Sequence, residues 1–121
     1  MRFTCIALLA AALLAGCTST PDPDSAASKV VTMGQLDDFD LGPMRVAREN
    51  GFLTVKVGVS NTSRSNQTLY YRFAWLDDDG FPVADAESWK TLTLYGKQAS
   101  VLPAIAPLPQ ATDFRLEVHT R

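Results

Sequence analysis

The sequence predicts an all-β domain: a small antiparallel β-sandwich of immunoglobulin-like architecture, with about seven strands. Three observations carry this. Apolar residues recur at every second position in several short segments, the period of a strand with one buried face. Clusters of Gly, Pro, Asn and Asp punctuate those segments roughly every 8 to 12 residues. No stretch beyond a turn or two carries helical spacing. The strongest segment, residues 68–76, sets Leu69, Tyr71, Phe73 and Trp75 on one face and Tyr70 and Arg72 on the other. That aromatic stripe needs a cover, and a second sheet is the natural one.

The chain starts with an address. Arg2 is a short positive start, and residues 6–14 (IALLAAALL) form an apolar run of signal h-region length. It falls short of the roughly 20 apolar residues of a spanning helix. Leu14-Ala15-Gly16-Cys17 resembles a bacterial lipobox. The resemblance implies that residues 1–16 are a lipoprotein signal peptide. It implies that Cys17 becomes the first mature residue, with diacylglycerol on its sulfur and another acyl chain, such as palmitate, on its amine. Several chains anchor firmly, since each buried CH₂ contributes about 0.8 kcal/mol. Thr at position 18, rather than Asp, resembles lipoproteins sorted to the outer membrane of Gram-negative bacteria, facing the periplasm. Residues 17–28 are thus the lipidated Cys and a flexible tether (TSTPDPDSAAS) with no apolar period. The other cysteine, Cys5, lies inside the signal. Residues 29–121 hold none, which excludes a disulfide or thiol nucleophile within that segment.

Residues 29–121 read as the sandwich. Residues 29–33 form a short edge strand. Residues 35–42 (QLDDFDLG) read as an acidic loop, and Pro43 restarts the chain into a strand over 45–49. Asn50-Gly51 is a two-residue hairpin signal, because both residues tolerate positive φ. On the return, Leu53, Val55, Val57 and Val59 point inward, while Thr54, Lys56, Gly58 and Ser60 point to water. Residues 61–67 form a polar connection with Asn-Thr-Ser turn chemistry. After the 68–76 strand, Asp77-Asp78-Asp79-Gly80 makes a tight turn. Residues 81–83 return briefly, with Pro82 marking an edge. Residues 89–94 are a strand, 95–98 a turn, and 99–105 an edge strand containing Pro103. The last strand, 113–120, sets Phe114, Leu116 and Val118 inward and Arg115, Glu117 and His119 outward.

The run NTSRSNQTLYYRFAWLDDDGFPV, residues 61–83, is similar to YcfL-type periplasmic lipoproteins of proteobacteria. These share a strand ending in Asn-Thr-Ser, a Tyr-Arg-Phe-x-Trp strand and an Asp-x-x-Gly turn. Residues 89–107, the Phe114-Arg115 strand and the lipobox extend the likeness. It implies a small β-sandwich of the periplasm and brings no catalytic set.

The residues argue against most activities. A net charge of −2 lacks the basic stripe that nucleic acid requires, and it argues against a polybasic grip on anionic lipid. There is no G-x-S-x-G elbow, no Gly-rich phosphate loop, and one His cannot build a zinc site. His119 reads as a solvated surface residue. Asp77, Asp78 and Asp79 suggest a weak Ca²⁺ loop, but EF-hand spacing puts Trp75 and Ala86 at ligand positions. Tyr70 and Arg72, being of types enriched in interface hot spots, are the candidate partner-binding residues, along with the exposed edge near Pro103. Thr54 and Lys56 are expected to share their face, with the Asp residues of the first loop as ion partners. The expectation is a non-catalytic, lipid-anchored periplasmic domain without cofactor, an interaction or structural module of the envelope. Its partners would be the membrane, through Cys17, and an envelope protein. The alternative is a sandwich that binds a small ligand or Ca²⁺.

Overall fold

Val55, Val57 and Val59 are at most 1% exposed, and Leu69, Phe73 and Trp75 at most 2%. Two strands that each bury one face against the other explain both sets. The computed structural model describes residues 26–120, so Cys17, the signal and most of the tether lie outside it. One helical turn, α1 (Ala26–Lys29), precedes seven strands. These are β1 (Val30–Thr32), β2 (Phe39–Glu49), β3 (Phe52–Asn61), β4 (Gln67–Leu76), β5 (Lys90–Leu94), β6 (Ala99–Ile105) and β7 (Asp113–His119). They form a four-stranded sheet, β1-β7-β4-β5, and a three-stranded sheet, β2-β3-β6. Phe73, Trp75, Phe114, Leu116 and Val118 of the first meet Leu53, Val55, Val57 and Leu102 of the second in one core. Each fully buried side chain of this kind contributes about 1.5–3 kcal/mol.

Several expectations need correction. The acidic segment is a loop only up to Asp38. Phe39, 5% exposed, pairs with Asn61 and opens β2. The Gly-Pro that looks like a breaker sits in an irregularity between Leu41 and Met44, where a missing N–H leaves no ladder bond unmade. The sandwich is not wholly antiparallel, because β1 runs parallel to β7. The return after the Asp turn is a single bridge, Leu76 to Pro82, and β5 starts at Lys90, leaving Trp89 just outside it.

The turn chemistry holds. Asn50 and Gly51 have φ of 52° and 83°, as a two-residue hairpin needs. Asn61, 2% exposed, ties three segments together. Its Nδ2 reaches the carbonyls of Ser65, Leu94 and Tyr95, and its Oδ1 accepts from the Ser63 N–H and hydroxyl.

Sheet edges are finished by side chains. On β7, Leu116 and Val118 face β1, and Met33 N–H donates to Val118 O. Phe114 lies beyond the end of β1. Its N–H donates to Asp113 Oδ1 (2.8 Å), and its carbonyl accepts from Arg115 (2.8 Å). Lys29 Nζ and Arg115 both reach the Asp113 carboxylate, at 2.6 and 3.0 Å. On β4, beyond the end of β5, Phe73 N–H donates to Glu87 Oε1 (2.9 Å). On β6, the register and the Ala106 N–H to Leu53 O bond direct even-numbered N–H groups at β3. The nitrogen of Pro103 therefore faces the open side.

Candidate functional site

The outer face of the four-stranded sheet carries a connected aromatic and charged platform. β4 lies between β5 and β7, and the register sets its outward residues beside theirs. Tyr70 is opposite His119 on one side and Thr91 on the other, while Arg72 is opposite Glu117. The Tyr70 and His119 rings stack, with centroids 4.9 Å apart and planes 8° from parallel. Trp89 meets His119 edge-on at 4.5 Å, and the Arg72 guanidinium lies 4.3 Å over the Trp89 ring. Arg72 Nε donates to Glu117 Oε2 at 2.5 Å. His119 Nδ1 is enclosed and has no hydrogen-bond partner. Val31 and Met33, 42% and 41% exposed, border the platform on the β1 side.

Tyr70 and Arg72 do share a face, as the alternation predicts. Three details differ. Arg72 is paired with Glu117 rather than with the Asp residues of the first loop. Thr54 and Lys56 belong to β3, on the other sheet. His119 is not a solvated surface residue but is held between two aromatic rings. Trp89 and Glu117 are the members that sequence reasoning missed. Alternation along β7 puts Glu117 outward, yet only the register places it against Arg72. Trp89 lies outside any strand period.

The platform offers aromatic and charged groups for recognition. The charge of Arg72 is met by Glu117. Three aromatic rings, a guanidinium and a carboxylate are held by mutual contacts, so little side-chain freedom remains to be lost on binding.

The Asp turn is built for the hairpin. Asp77 Oδ1 accepts the N–H groups of Asp79 (2.9 Å) and Phe81 (3.0 Å), and Gly80 has φ of 82°. Asp78 and Asp79 are exposed. Among the described residues, no three His, Cys, Asp or Glu side chains are disposed to hold a metal ion. Glu87 is occupied as well, accepting from Phe73 N–H and, at 3.4 Å, from Trp75 Nε1–H. Burial, helped by the nearby Glu87 charge, raises the Tyr71 pKa.

The family described as "Protein of unknown function (DUF1425)" matches residues 36–120. The chain belongs to the DUF1425 family. The fold is similar to the crystal structure of Campylobacter jejuni cj0090, with a TM-score of 0.66 and 27% identity over 77% of this chain and 98% of that one. It is also similar to a DUF1425 member from Shewanella sp. pv-4, with a TM-score of 0.61 and 34% identity over 66% of this chain and 75% of that one. No curated protein matches. Tyr70, Arg72, Trp89, Glu117 and His119 all fall inside the DUF1425 segment, whereas β1 lies before it.

Proposed function

We propose that this DUF1425 domain is a non-catalytic interaction module of the cell envelope. Acylated Cys17 holds it on the periplasmic side of the outer membrane, as in the YcfL-type lipoproteins it resembles. The platform of Tyr70, Arg72, Trp89 and His119 is the surface that grips an envelope protein. The observation that carries this is the packing of Trp, Tyr and Arg side chains together on an outward sheet face. Those residue types dominate interface hot spots because they bring large contact area at small conformational cost. The exposed Val31 and Met33 add an apolar border beside them.

The test is crosslinking in living cells from a photoreactive residue at exposed Thr91. A discrete adduct should form with the wild-type chain and fade in Tyr70→Ala and Trp89→Ala chains that still fold. Adducts unchanged by both substitutions would remove the platform from the reading. Separately, mass spectrometry of the mature chain should find acyl groups on Cys17; an unmodified thiol there would end the anchoring part.

A further inference from the structure

The outer face of the β2-β3-β6 sheet has a different character. Arg45 of β2 is directly opposite Lys56 of β3, and Lys56 is opposite Pro103 of β6. Like charges directly opposite on an antiparallel pair are destabilising. Neither side chain has a hydrogen bond or ion pair among the described residues. Both line two adjoining shallow depressions. The larger, about 290 Å³, is completed by Pro43, Gly58 and Val101, and the smaller by Ala47, Glu49 and Thr54. Along β6, Val101 (56% exposed), Pro103 and Ile105 (67%) alternate onto the same face. The acidic groups of this face, Asp40 and Glu49, lie at the two ends of β2.

We propose that this face rests on a lipid surface. Arg45 and Lys56 meet headgroup phosphates, and Val101, Pro103 and Ile105 settle at the acyl-chain boundary. The proposal rests on the reading that Cys17 is acylated. The tether then matters: the eight residues from Thr18 to Ser25 that precede α1 span at most roughly 30 Å when fully extended. The domain is thus kept close enough to the bilayer for weak surface contacts to be made continually. An unmatched cationic pair beside exposed apolar side chains is the pattern of interfacial binding to phosphate-bearing lipid. Two such cations strengthen contact with an anionic surface on the order of 30-fold. With this face down, the aromatic platform on the opposite sheet is turned towards the periplasm, free to meet a partner.

The experiment uses the acylated mature chain in phosphatidylethanolamine–phosphatidylglycerol vesicles. An environment-sensitive fluorophore is attached at Ile105→Cys or, as control, at Thr91→Cys; the Cys17 sulfur is blocked by its lipid. Brominated acyl chains should quench the label at 105 and leave the label at 91 bright. Quenching at 105 should fall at least several-fold in Arg45→Glu/Lys56→Glu and in phosphatidylcholine vesicles. Arg45→Glu alone creates a cross-strand ion pair, so it should lower quenching while its melting temperature holds or rises, which excludes unfolding as the cause. Flotation with the vesicles reads the anchor independently. A chain that floats with position 105 unquenched, or with both positions quenched equally, overturns the face assignment. Quenching at 105 that is indifferent to the charge reversal does the same. A chain that does not float overturns the anchor, and the face assignment falls with it.

Discussion

Replacing Asp113 by Asn should loosen the N-terminal strand more than its single lost charge suggests. The carboxylate accepts from Lys29 Nζ, from Phe114 N–H and from Arg115, and so ends the β7 edge where β1 stops. Asn keeps one acceptor for Phe114 but leaves Lys29 and Arg115 without their counter-charge. Hydrogen bonds to charged groups contribute about 1.5–3 kcal/mol when well buried. The Asp113 side chain is 30% exposed and that of Arg115 38%, so screening trims the value to about 1–2 kcal/mol. For a domain of this size that lowers Tm by roughly 4–12 °C. Burial raises the Asp113 pKa, but the hydrogen bonds from Lys29, Phe114 and Arg115, with the Lys29 charge, outweigh it and hold it below the ordinary carboxylate value. A depressed native pKa means the unfolded chain binds the proton first as pH falls. The stabilisation is therefore full above the unfolded carboxylate range and is lost as pH drops through the native value. Thermal melts of both chains from pH 7 downward should show a gap at neutral pH that closes in acid. Hydrogen exchange should show the Met33 amide, bonded to Val118 O, losing protection before the β3 and β4 amides. An equal Tm at pH 7, or a gap that persists after the carboxylate is protonated, would refute the edge-cap account.

Other changes test other parts of the molecule. Asn61→Ala strips hydrogen bonds from the buried carbonyl of Leu94 and from those of Ser65 and Tyr95, and should cost about 2–4 kcal/mol in urea unfolding. Gly96→Ala would place a Cβ 2.1 Å from Arg64 O, a backbone atom, so a loss of about 1–3 kcal/mol in the same assay is expected. Calcium at millimolar concentration should leave Tm unchanged, because Asp77 is committed to its own hairpin; a rise would revive the metal-loop reading, since a ligand of the folded state must stabilise it.

Much of the architecture was legible in side-chain alternation. Leu53 to Val59, Leu69 to Trp75 and Phe114 to Val118 each write their buried face into the sequence, because a strand repeats every two residues. Asn50-Gly51 and the Asn61 turn were legible because their chemistry is local. What failed was non-local. Nothing in residues 39–43 announces that a bulge will carry a Gly-Pro through a strand. Nothing local says that β1 will lie parallel to the last strand of the chain. The platform was half visible: parity put Tyr70 and Arg72 together, but register alone recruits Glu117 and His119, and a loop brings Trp89. The same limit misplaced Thr54 and Lys56, since alternation tells which side of a strand a residue takes and not which sheet the strand joins.

Pro103 has a consequence for crowding. If Cys17 is acylated as proposed, copies share one leaflet, their diffusion is confined to a plane and encounters between neighbours are frequent. A strand with an unbroken row of outward amides would invite a neighbour's strand to zip onto it, and sheets would grow across molecules. An imino acid halfway along β6 removes one donor and props the approaching backbone away. The exposed apolar side chains of that strand can then be carried without seeding polymers.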